Sequence, residues 1–256
     1  MTEAQLRPLA IGEVLDVAFS LYRKHFVALA TVAMVSQAVA ILLSVFVEAS
    51  GGLLEHPVLW GASLVVGMIC TAVGMGASTK IVADAYLGRN VQAAAALGWV
   101  MPHLGKIIVL SMVSTLVVGI GFLLLFIPGI VIGTGVAVSA CALVVEGLSP
   151  IDSLNRSWNL TRGHRWKVFG TLLVALMLVY LVSFVAVFIG GVAGMVLGFG
   201  SSSVMTGVLV IAAISAVMSV LVYPFIYSAV TVLYYDLRVR KEGFDLELLE
   251  SQLEAL

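Results

Sequence analysis

Val144-Val-Glu-Gly-Leu-Ser-Pro-Ile-Asp-Ser-Leu-Asn-Arg-Ser-Trp-Asn-Leu-Thr-Arg-Gly-His-Arg-Trp-Lys-Val-Phe-Gly170 decides the reading of this chain. An apolar run ends on an acid, Glu146, and Ser149-Pro150 then opens a short helix that Gly163 closes. A serine cap, proline at the first helical position and Asp152 at the third form a strong helix start. The serine oxygen accepts an orphan N–H, and proline lacks an N–H where none is needed. Ile151, Leu154 and Trp158 give this helix an apolar stripe, so it reads as an amphipathic elbow. A basic cluster of Arg162, Arg165 and Lys167 follows, and another apolar run begins at Val168.

Outward from this junction the chain is dominated by such runs. Of its 256 residues, 61% are hydrophobic and 11% charged, against about 45–50% and 25% in soluble domains. Six runs read as membrane spans: Phe26 to about Val47, Val58 to Ala83, Ile107 to Ile127, Ile130 to Val145, Val168 to about Leu197, and Val204 to Tyr235. Pro128-Gly129 reads as the turn between the third and fourth, and Gly129 with Gly133 forms a GxxxG. The fifth should bend near Gly190, Gly191 and Gly194, with Gly198 to Ser203 as the turn after it, and the sixth should kink at Pro224. Ile11, Leu15, Ala18 and Tyr22 predict an interfacial helix before the first span, and Asn90 a second one over Val91 to His103. The tail, 237–256, is charged, with an amphipathic segment through Phe244, Leu248, Leu249 and Leu253. The N-terminus shows no removable signal peptide.

Charge sets the expected topology. All 13 Lys and Arg fall in four places: Arg7, Arg23 and Lys24; Lys80, Arg89 and Lys106; Arg156, Arg162, Arg165 and Lys167; Arg238, Arg240 and Lys241. The other connections have none, so both termini and both elbow loops are expected in the cytoplasm. Aligning His25, His103 and His164 suggests three units of elbow plus hairpin within one membrane domain, over about 11–89, 90–148 and 149–236.

Each even-numbered span ends on an acid: Asp84, Glu146 and Asp236. Pairs such as Glu146 with Arg162 or Arg165 would pin elbow to bundle. Two readings stay open, a structural ion-pair collar and a ring that binds a cation or an anionic headgroup. Trp158, Arg162, Arg165, Trp166 and Lys167, with Glu146, make the densest candidate headgroup or partner site, since clustered cations beside interfacial tryptophan attract anionic lipid. The plainer account is positive-inside topology alone.

No ionisable residue sits in the middle of a span, which lowers the expectation of an ion-coupled transporter. HExxH, GxSxG, a P-loop and Cys/His metal spacing are all missing from the sequence. No catalytic residue, cofactor, metal or nucleic-acid partner is therefore expected. Cys70 and Cys141 read as buried small hydrophobes.

Three segments carry a likeness: Leu6 to Asp16 with Leu21 to Phe26; Phe126 to Ile130 with Val145 to Ile151 and Arg156 to Gly163; and Leu233 to Leu249. Together they resemble the bacterial six-span family known as the glycerophosphoryl diester phosphodiesterase membrane domain. The resemblance implies an all-α inner-membrane fold. No catalytic residue is expected to carry over, because none of the phosphodiesterase barrel's metal-binding carboxylates is recognised among these residues. The leading expectation is a non-enzymatic module that binds lipid, or another membrane or envelope protein, in bacterial envelope maintenance. A passive channel or transporter for a small or amphipathic solute is the alternative, and an enzyme acting on lipid comes third.

Overall fold

Backbone N–H and C=O groups in hydrocarbon must be satisfied within their own segment, so apolar runs of this length fold as helices. The computed structural model describes residues 8–196, 214 and 218–243, and all regular structure among them is helical. Ile11–Lys24 is α1, Phe26–Ala49 α2, Gly52–Glu55 α3, Pro57–Tyr86 α4 and Ala93–Leu124 α5. Phe126–Val136 is α6, Ser139–Glu146 α7, Pro150–Thr161 α8 and Arg165–Val196 α9. A π-helical turn, Met218–Val222, leads into α10, Tyr223–Glu242. Six stretches are long and apolar enough to cross a membrane: Phe26–Ala49, Pro57–Tyr86, Ala93–Leu124, Phe126–Glu146, Arg165–Val185 and Val220–Glu242. The fold is that of an all-helical, multi-pass membrane protein.

The two ends of the bundle differ. At the end bearing Lys and Arg, a packed core holds Val14, Ile81, Val82, Val100, Leu143, Leu160, Val232 and Leu233. Towards the other end Leu42, Phe46, Leu54, Leu123, Ile127 and Phe184 are exposed. Helix lengths explain the contrast. α4 has 30 residues and α5 has 32, about 45–48 Å at 1.5 Å per residue, against a hydrocarbon layer of about 30 Å. Part of each helix stands outside the hydrocarbon, where water drives apolar burial. Within it, lipid tails are as apolar as leucine and impose no such demand.

α1 lies against protein, with Val14, Ala18 and Leu21 buried, so its covered face is rotated from the expected Ile11, Leu15, Ala18, Tyr22 stripe. The Leu9 N–H donates to Asp236 Oδ1 (2.6 Å) and the Tyr22 hydroxyl to the Leu221 carbonyl (3.0 Å). These two bonds fix α1 antiparallel to α10.

Of the three expected junctions, two are helix breaks, at His25 and at His164. The third is not: α5 runs unbroken through Pro102 and His103. Proline removes one backbone bond there, while Val100 and Ile107 on either side are buried, closing over Gly76 of α4. The turn between the third and fourth spans falls at Leu125, which is extended (φ −163°, ψ 149°), and not at Pro128-Gly129. Pro128 sits in the first turn of α6, where its missing N–H costs nothing. Gly129 serves the hairpin crossing instead, since a side chain there would strike Phe122. α9 stays helical through Gly190, Gly191 and Gly194. The irregularity expected at Pro224 takes the form of the π turn just before it. Arg7, the Gly198 to Ser203 turn, the start of the sixth span and the tail segment through Phe244, Leu248, Leu249 and Leu253 lie outside the described residues.

Candidate functional site

The charged end is tied by two ionic knots, both centred on α10. Asp236 is buried, 1% exposed. Its carboxylate accepts from Lys167 Nζ at the head of α9, from Arg240 Nε (3.1 Å) and from the Leu9 N–H. Lys167 and Arg240 also donate to the Leu9 carbonyl, at 2.5 and 2.7 Å. One buried acid thus joins α9, α10 and the segment leading into α1. Burying that charge is tolerable because its partners surround it.

Glu146 anchors the second knot, and its partner is Arg156, not Arg162 or Arg165. Arg156 Nε lies 2.9 Å from both Glu146 oxygens. The same guanidinium grips Glu242 of α10 with its two terminal nitrogens, and Arg238 adds a bond to Glu242 (3.0 Å). The Tyr234 hydroxyl donates to Glu146. Arginine's fork can serve two carboxylates at once, which a lysine ammonium does less well. Both acids hold the Arg156 pKa above its ordinary value, Glu242 most strongly. Asp84 pairs locally, with Lys80 (2.8 Å) and Arg89 (3.7 Å), and beside it Tyr86 stacks on Tyr235 at 4.5 Å. Each acid of the expected collar therefore has its own cations, and no group of three or more metal-binding side chains occurs among the described residues.

The basic elbow is largely occupied from within. The Lys167 side chain is 14% exposed and committed to Asp236 and Leu9. The Arg165 guanidinium rests over the Trp158 indole, 4.1 Å from its centroid. Trp158 in turn packs on Gly135, where a methyl group would collide with the ring. Arg162 is exposed at the end of α8, and Trp166 is 86% exposed with its edge to Phe169. The site read from sequence is thus brought together only in part.

Sequence reasoning missed a break in the fourth span. α6 ends at Val136 and α7 begins at Ser139. Ser157 of α8 fills the gap: its hydroxyl donates to the Gly135 carbonyl (2.7 Å) and accepts from the Val138 N–H (3.2 Å). Thr161 also donates to Gly135 (3.4 Å). Ser157 and Thr161, four residues apart on the buried face of α8, were the available signal.

Clefts open between the spans among the described residues. An apolar crevice of about 330 Å³ runs between α1, α9 and α10, lined by Phe19, Tyr22, Leu178, Val182, Leu221 and Phe225 among others. A second cleft, about 420 Å³, lies between α4, α5 and the break in the fourth span; its walls are mostly apolar, Met68, Met75 and Leu110 among them, and Thr71, Ser111, Ser114, Thr115 and Ser139 add hydroxyls.

The fold and these clefts define a multi-pass helical membrane protein. Residues 81–237 match a family described as "Domain of unknown function (DUF7847)", which covers more than half of the chain, and the protein belongs to that family. It is also similar to a UPF0259 membrane protein of Photorhabdus laumondii subsp. laumondii, 24% identical over 135 residues, 51% of this chain and 53% of the relative. The chain thus spans about half the length of that relative. No solved structure matches. Neither match carries the phosphodiesterase description that the resemblance suggested.

Proposed function

We propose that this protein is a non-enzymatic module of the bacterial inner membrane that holds a membrane lipid by an acyl chain. Both termini would face the cytoplasm, as the placement of the cations implies. The observation that carries the reading is the crevice between α1, α9 and α10. Its volume falls within the about 300–1,000 Å³ of ordinary ligand clefts. The Tyr22 hydroxyl on its wall is already bonded to the Leu221 carbonyl, so the site offers an apolar surface to an apolar occupant. A partner envelope protein is the other occupant foreseen from sequence, but an apolar crevice between helices fits an acyl chain better. The likeness to the glycerophosphoryl diester phosphodiesterase membrane domain supports a lipid-facing role as a resemblance only.

The test is to fill the crevice. Leu178→Trp with Val182→Trp should reduce lipid retained through mild-detergent purification, measured by native mass spectrometry, while the thermal midpoint stays near wild type. Undiminished lipid in a folded double variant would contradict the reading. A passive path for a small solute is the second reading, favoured by the hydroxyls of the second cleft. Solute flux into protein-containing vesicles, abolished by Ser114→Phe, would support it.

A further inference from the structure

Beside the apolar crevice lies a polar depression of about 560 Å³ lined by Asp16, Ser20, Arg23 and Lys24, and Phe19 forms a wall of both. Spacings of three and four residues put these four side chains on one face of α1, and all four are exposed. Among the described residues neither Arg23 nor Lys24 has an ion-pair partner; Lys106, Arg162, Arg165 and Lys241 share that condition, but only Arg23 and Lys24 line a depression that shares a wall with the crevice. An apolar crevice adjoining an exposed cationic face, with Phe19 as the shared wall, complements an amphipathic anion.

We infer that α1 selects the headgroup. Arg23 and Lys24 bind the phosphate of an acidic phospholipid whose acyl chain occupies the crevice. The inference rests on the lipid reading above and assigns that lipid its class. Two cations and one carboxylate leave the face with a single net positive charge, which matches a headgroup of charge −1. Asp16 opposes a second negative charge on the ligand. With Ser20 it can instead accept hydrogen bonds from headgroup hydroxyls, so a glycerol-type headgroup such as phosphatidylglycerol fits best. The two cations also suit the C-terminal end of the α1 dipole, which requires no lipid. Adjacency to the crevice through Phe19 is what points to a bound amphiphile.

The experiment reconstitutes the full chain with an equimolar mixture of phosphatidylglycerol and phosphatidylethanolamine. The protein is then extracted in mild detergent, and retained lipids are counted and classed by native mass spectrometry. Wild type should retain phosphatidylglycerol in preference by roughly tenfold, as two surface cations imply. R23Q/K24Q should retain the same total lipid without the preference, and D16N, which removes the opposing charge but keeps a carbonyl acceptor for headgroup hydroxyls, should sharpen it. Wild type retaining both lipids equally, or favouring phosphatidylethanolamine, overturns the headgroup assignment and leaves the crevice reading standing. So does an unchanged preference in R23Q/K24Q. Retention of no lipid by wild type overturns both.

Discussion

The Ser157 hydroxyl bridges the two sides of a helix break, donating to the Gly135 carbonyl at 2.7 Å and accepting the Val138 N–H at 3.2 Å. A span interrupted at Ala137-Val138 frees backbone groups that no water in hydrocarbon can satisfy, and a side chain from another helix takes their place. The short helix after the fourth span thus completes that span as well as linking it to the next. Ser157→Ala should leave one donor and one acceptor without this partner and cost about 1–3 kcal/mol, read as a lower thermal midpoint in detergent. An unshifted midpoint would mean that the break is satisfied in some other way.

Asp236 and Lys167 give a second prediction. Removing one member of a buried pair so that the other is left alone costs about 3–5 kcal/mol. The cost here should lie at or below the low end, because Arg240 and the Leu9 N–H remain on Asp236 and the Leu9 carbonyl remains on Lys167. Asp236→Asn and Lys167→Met alone should each destabilise the fold, while Asp236→Asn with Lys167→Met should cost less than the sum of the two. A thermal double-mutant cycle measures this coupling. Additive losses would show that the two side chains do not depend on each other.

His164 makes stability depend on pH. Burial, and then Arg240, Lys241 and Lys167, hold its pKa below the ordinary 6.5, against a weaker opposing pull from Asp236. His25 is shifted the same way, by burial and by Lys24. The folded state therefore binds fewer protons than the unfolded state just below pH 6.5, so stability is greatest above that value. It falls as pH drops towards the lower folded-state pKa, and then levels off. The melting temperature should decrease between about pH 7.5 and 5.5, in the range where histidine titrates. His164→Asn should flatten part of that slope, and a slope identical in wild type and variant would contradict the assignment.

The topology is open to labelling. A single cysteine at Leu54, exposed in the connection between α2 and α4, in a cysteine-free background, should react with an impermeant maleimide from outside the cell. One at Gly88 should react only after the cytoplasm is opened. The reverse pattern would invert the bundle.

The six spans were legible because hydrocarbon forces a long apolar run into a helix whatever its neighbours do. The α8 cap was equally plain in Ser149-Pro150-Ile-Asp152, and the Ser149 side chain does accept the Asp152 N–H (3.3 Å). What sequence hid was set by contacts distant in the chain. Glu146 was expected to meet Arg162 or Arg165, but helix α8 turns Arg156 towards both Glu146 and Glu242, which lies 86 residues away. The break at Ala137-Val138 has no proline to announce it, because Ser157 makes it tolerable. Nor could periodicity show that α1 would pack on α10, or that its cations would stand beside a crevice walled by Leu178 and Phe225.

Photo-crosslinking with a phospholipid carrying a diazirine near the end of one acyl chain reports where that chain lies on the protein. Crosslinked peptides should concentrate on Phe19, Leu178, Val182 and Phe225, with far less at Leu42, Leu64 and Val109, which are exposed elsewhere on the bundle. Labelling spread evenly over all of these positions would mean that the crevice holds no lipid of its own and would contradict the account.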